Sequence, residues 1–135
     1  MNDEQLKLAR ELAANPKFEW RAGMLARERS PTGNWQPGDY VWRIVDGEPD
    51  LSAVTSEGDL HEAPMMPAAF ERAIPDLDDD ATGGVLWAMA GRPSLTAQSW
   101  GYVRCADALD GFTGKSLAEA CARLLLAQWA REVTP

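Results

Sequence analysis

A serine at position 116 and a glutamate at 119 stand immediately before an apolar run, and they constrain this chain more than any other feature. In the order S-x-x-E, the hydroxyl accepts from the backbone of a first helical turn and the carboxylate reaches back to an N–H ahead of it. The pattern predicts a helix from Leu117 to Glu132. Leu117, Cys121, Leu124, Leu125 and Trp129 form one stripe at spacings of three and four, with Glu119 and Arg123 across from it. An apolar stripe of that width has to be covered by other elements, so the chain must build layers around it.

The same residues, Gly114-Lys115-Ser116, also look like the end of a nucleotide-binding loop. Such a loop needs a glycine five positions before the Gly-Lys pair and a buried apolar strand ahead of it. Leu109 occupies the first place, and ADALDGFTG is not a buried apolar strand. The helix cap explains Ser116 and Glu119 without a nucleotide, and Lys115 is read as a solvated side chain.

Periodicity places the other elements. Residues 3 to 14 read as an amphipathic helix capped by Asp3, with Leu6, Ala9 and Ala13 on one face and Leu8 and Leu12 widening it. Asn15-Pro16 stops it. KFEWR alternates, with Phe18 and Trp20 on one side, and reads as a half-buried strand continuing toward Met24 and Leu25. Residues 30–39 hold two prolines and two glycines and make a loop or hairpin tip. YVWRIV is the clearest strand, Asp46-Gly47 a hairpin turn, and the segment from Leu51 to Val54 its returning partner. Residues 56–75 are irregular, with a short helical turn from Ala68 to Ala73. Asp76 to Ala90 reads as a helix and Leu95 to Cys105 as a strand. This order predicts an α+β fold, an α/β/α sandwich in which one small antiparallel or mixed sheet is covered by helices.

With 135 residues, 45% of them hydrophobic and 25% charged, the chain fits one globular domain spanning 1–135. No apolar run approaches the roughly 20 residues of a membrane span. The acidic start MNDEQLKLARELAANP lacks the basic and apolar parts of a signal peptide, which predicts a cytoplasmic protein with Cys105 and Cys121 reduced. A net charge of −8 repels phosphate backbones, so direct nucleic-acid binding is not expected. The same charge is compatible with a basic partner, with mimicry of nucleic acid, or with solubility alone.

The residue types that carry chemistry are sparse. Asp76, Asp78, Asp79 and Asp80 crowd five positions and raise the possibility of an enzyme using a divalent metal. Their consecutive run is better explained by Asp78 or Asp79, Asp79 first, capping the next helix while its neighbours meet the positive end of the helix dipole. His61 is the only histidine and the two cysteines are sixteen residues apart, so no zinc site, catalytic set or cofactor is expected. Of six tryptophans, alternation or helical spacing accounts for Trp20, Trp42, Trp100 and Trp129, whereas Trp35 sits between Gly33 and Pro37 with no periodic reason for burial, which makes it a candidate recognition contact. Arg43 and Arg104, each on a strand with aromatic residues, are candidates for the cationic side of an anion or base-stacking site, or else the outward face of a sheet.

Three stretches, ANPKFEWRAGMLA, PDLDDDATGGVLWAM and GKSLAEA, together resemble the small tailed-phage and prophage proteins grouped as the phage ABA sandwich domain. Trp20, Gly23 and Met24 match that family's W-x-x-G-M. Asp79, Ala81 and Thr82 match its D-P-A-T, and Gly114, Ser116, Ala118, Glu119 and Ala120 its closing helix start. Asp80 stands where the family has proline, Gly83-Gly84 follows it, Cys121 replaces a leucine, and residues 30–39 have no counterpart. The resemblance implies a three-layer sandwich and no catalytic residues. With the acidic charge and the aromatic surplus, it leads to the expectation of a noncatalytic phage-encoded accessory protein. Such a protein would act against bacterial defence by binding, either inhibiting a defence protein or sequestering a small nucleotide signal. A structural or assembly role in a phage and the metal-dependent enzyme are the alternatives, and a homodimer is compatible with each.

Overall fold

The capped helix is the centre of the molecule. A computed structural model describes residues 1–28, 40–45, 48–55, 60–62, 73–98 and 101–133. Its elements run α1 (Asp3–Ala14), β1 (Leu25–Glu28), β2 (Tyr40–Val45), β3 (Glu48–Thr55), β4 (Leu60–Glu62) and β5 (Ala73–Pro75), then α2 (Asp80–Met89), β6 (Ser94–Ala97), β7 (Val103–Ala106), β8 (Gly111–Gly114) and α3 (Leu117–Val133). Helix α3 packs against α1, α2, β7 and β8, while α1 also meets β5. Its first turns are therefore enclosed on every side: Ala118, Glu119, Ala120, Cys121 and Ala122 are all buried. A helix enclosed all round needs small or apolar residues throughout, and three alanines let its neighbours approach closely.

The α+β class holds, with helices packed on the sheets, but the strands form two antiparallel sheets rather than one. The larger has the order β4-β3-β2-β1-β5 and the smaller β6-β7-β8. Ala26 of β1 joins the two halves of the larger sheet, opposite Trp42 on one side and Pro75 on the other. Among the described residues, Leu12, Met24, Leu77, Leu86, Leu124 and Leu125 are the large apolar side chains fully withdrawn from solvent, drawn from both ends of the chain.

Several boundaries differ from the sequence reading for local physical reasons. Helix α1 is capped by Asn2 rather than Asp3: Asn2 accepts from the Gln5 N–H at 2.8 Å and donates its own N–H to Gln5 Oε1 at 2.9 Å. KFEWR alternates in burial, with Phe18 and Trp20 half-buried and packed edge-on, yet it makes no strand. The chain turns at Asn15, which accepts from the Phe18 N–H, and β1 starts only at Leu25 after Gly23, whose φ of 97° suits glycine. Helix α2 starts at Asp80 rather than Asp76 because the carboxylate of Asp79 takes the cap. The single strand read from Leu95 to Cys105 is a hairpin, β6 and β7, whose reversal is tied by the Gln98 N–H donating to Tyr102 O at 2.7 Å. Strands β4 and β5 fall in the stretch read as irregular. The loop at 30–39 lies outside the described residues, as does the turn at Ala68 to Ala73 except for Ala73, which opens β5.

Candidate functional site

Of the four carboxylates that looked most like chemistry, Asp76, Asp78 and Asp79 are bound to the protein itself, and Asp80 is exposed in the first turn of α2. Asp76, buried at the end of β5, accepts from Arg27 Nε at 2.5 Å and from the Asp78 N–H at 2.9 Å. Asp78 accepts from Gln5 Nε2 at 2.9 Å and pairs with the amino group of Met1 at 3.1 Å. Asp79 caps α2 as the sequence predicts, accepting from both the backbone N–H and the hydroxyl of Thr82 at 2.9 Å. Thr82 in turn receives the Leu25 N–H at 2.8 Å, so the cap also fixes the start of β1. Among the described residues no three His, Cys, Asp or Glu side chains converge as a metal ion would require.

At the head of α3, Ser116 and Glu119 act as the cap. The Ser116 hydroxyl accepts from the Glu119 N–H at 3.1 Å and donates to Leu77 O. The Glu119 carboxylate accepts from the Lys115 N–H at 2.9 Å, one residue beyond the cap position, and from Gln5 Nε2 at 3.3 Å, and it pairs with Arg123 at 2.9 Å. The sequence reading placed Glu119 across from the apolar stripe of the helix. It is 3% exposed, because α1 and the 76–79 turn close over that side, and its oxygens are satisfied there. With the Lys115 N–H taken by Glu119 and the Glu119 N–H by Ser116, the Gly-Lys-Ser turn is closed on its own side chains.

The turn between β7 and β8 is held to the far end of α3. Asp107 accepts from the Leu109 and Asp110 N–H groups at 2.8 Å, and from Arg131 Nη2 at 2.6 Å and Gln128 Nε2 at 3.1 Å. Arg131 also lies 3.2 Å from Asp110. The Arg131 guanidinium first, then the backbone donors and Gln128, hold the Asp107 carboxyl well below the usual carboxylate range. A lowered folded-state pKa adds stability that is present above the unfolded value near 4 and is lost as pH falls below it. Replacing Asp107 by asparagine is therefore expected to lower Tm at neutral pH and to flatten its acid-side decline, read by thermal melts at stepped pH below about 4. An unchanged acid slope would place the acid sensitivity elsewhere.

Cys105 of β7 and Cys121 of α3 meet in the core with their sulfurs 3.4 Å apart. Burial pushes both thiols up, so they behave as small apolar side chains, as the sequence suggests for Cys121.

Of the three residues proposed for recognition, one has a described side chain. Trp35 lies outside the described residues. Arg43 lies in β2 opposite Leu25 and Ser52, with its side chain outside the described set, as is that of His61 in β4. Arg104 is exposed on β7 and points away from α3, since its neighbour Cys105 points inward. Its guanidinium rests over Gly111, where a Cβ would come within 2.5 Å of Nη2. Around it the register sets Thr96 and Thr113 directly beside Arg104, on the solvent side of the small sheet. The signal that marks this face was legible and was passed over. Residues 81–106 contain Arg92 and Arg104 and no Asp or Glu, in a chain of net charge −8.

No helix among the described residues is long and apolar enough to cross a membrane. No protein-family model matches the chain, and neither a curated protein nor a solved structure matches it.

Proposed function

We propose that this is a noncatalytic binding protein, and that its partner is a protein engaged through the solvent face of the small sheet. The observation that carries the reading is the placement of Arg104: an exposed arginine flanked by threonines on an open sheet, in the acid-free stretch of an otherwise acidic chain. Arginine on such a face offers a planar, always charged donor set suited to carboxylates. The engagement of Asp76, Asp78, Asp79 and Glu119 with the protein's own donors favours binding over metal-dependent chemistry. An open sheet face also suits a protein surface better than a small nucleotide, whose sites are concave. The biological setting, a phage-encoded cytoplasmic protein acting against bacterial defence, rests on the short motifs around Trp20, Asp79 and Gly114.

A plating assay tests this reading. Expressed in bacteria carrying individual defence systems, the wild-type chain is expected to restore plaque formation by at least about tenfold for one of them. Arg104→Glu is expected to lose that rescue while its Tm stays close to wild type, because surface substitutions away from special contacts change stability by about 0.5 kcal/mol or less. Rescue by neither protein across the panel would sink the counter-defence reading.

A further inference from the structure

The small sheet has two edges, and they are treated differently. At β8 the Thr113 carbonyl accepts from Arg123 Nη1, and Gly114 is buried against α3. At β6 nothing comparable stands guard among the described residues. Residues 94–98 are exposed throughout, β6 pairs only with β7 among the described residues, and its register is continuous. Ser94-Leu95-Thr96-Ala97 contains no charge and no proline, the usual devices that keep an edge from pairing. Leu95 lies on the helix-facing side, opposite Cys105, yet remains 45% exposed, with no described strand beyond it.

We infer that β6 is a docking edge for an extended acidic segment of a partner protein, which adds to the small sheet as a fourth strand. This deepens the reading above and rests on it. Main-chain hydrogen bonds along β6 supply affinity, and alternate side chains of the segment supply specificity. Its apolar residues cover Leu95 and Ala97 on the helix side, and its carboxylates stand beside Ser94 and Thr96 on the solvent side.

Charge selects the occupant. Arg92 is exposed two residues before β6 and has φ of 55°, a left-handed conformation unfavourable for a non-glycine residue. Arg104 stands one strand further in, so its backbone lies roughly 10 Å from an added strand, and it acts through its field at that range. The stretch 81–106 provides no carboxylate to answer either arginine. A second copy pairing through its own β6 would bring an equally acid-free strand, together with the net charge of −8 that each chain carries. A foreign acidic segment meets both arginines without that repulsion.

The test uses a short blocked peptide that alternates glutamate and valine, with a lysine and valine counterpart as its control. Amide spectra and hydrogen exchange of the full chain are expected to show the acidic peptide protecting Leu95 and Ala97, whose N–H groups the register turns away from β7. It should bind at least about tenfold more tightly than the basic one, by a margin that shrinks with added salt. Arg92→Glu is expected to reverse that preference, and Thr96→Glu to weaken the acidic peptide by about tenfold, with the Tm of both near wild type because both side chains are exposed. Protection elsewhere, equal binding of the two peptides, or a dimer in sedimentation that Thr96→Glu dissociates would overturn the proposal. The plating assay separates the two readings. Full rescue by Arg92→Glu and Thr96→Glu discards the edge and keeps the binding protein, whereas peptide binding without rescue by wild type keeps the edge and discards counter-defence.

Discussion

Gly114→Ala is expected to destabilise the protein by about 3 kcal/mol, seen as a Tm lower by roughly 10 °C. A Cβ at this position would lie 2.6 Å from Ala120 N, 2.8 Å from Glu119 Cβ and 3.0 Å from Glu119 C. None of these is the far end of a flexible side chain. To make room, β8 would have to withdraw from the first turn of α3, and α3 is the helix on which α1, α2 and the small sheet all pack. Tight interiors transmit such a shift instead of absorbing it. Gly84→Ala is the control, since a Cβ there meets nothing within 4 Å, and helix propensity favours alanine over glycine by up to about 1 kcal/mol. Equal melting temperatures for Gly114→Ala and wild type would mean that the β8–α3 approach is looser than described.

Glu119→Ala is expected to cost about 2 to 4 kcal/mol, measured by denaturant unfolding. It removes the acceptor for the Lys115 N–H and for Gln5 Nε2 and leaves Arg123 without its carboxylate partner. Most of the loss comes from the buried donors, because Arg123 is a third exposed and water replaces part of its ion pair. Glu119→Gln keeps one acceptor oxygen and should recover part of the loss. Gln5→Ala in the Glu119→Ala background should cost less than in wild type, since the two residues share one hydrogen bond. Strictly additive effects would show that the network from α1 to α3 does not act as a unit.

These two positions show how much of the molecule local pattern reveals. Gly114, Ser116 and Glu119 were legible as a helix start because a cap joins residues three or four apart. Asp79 was legible on the same ground, and so was YVWRIV, whose alternation needs no partner to be recognised. KFEWR carried the same alternation and became no strand. Its side chains alternate in burial, but a strand also needs a neighbour for its backbone, and pairing is a property of distant residues. The burial of Glu119 was hidden for the same reason: its partner Gln5 lies 114 positions away in sequence. Of the candidate recognition residues, Arg104 was identified from its strand alone, while the free edge beside it depended on how the strands divide into sheets.

By itself, the sequence determined the helices, the caps of α2 and α3, the clearest strand and the acid-free stretch from 81 to 106, because each depends on near neighbours or on composition. Only the tertiary structure decided that the strands form two sheets, that Asp76, Asp78 and Asp79 bind the protein's own donors, and that β6 is left at an open edge. Those outcomes depend on which distant surfaces exclude water from one another, and no short window of residues carries that information.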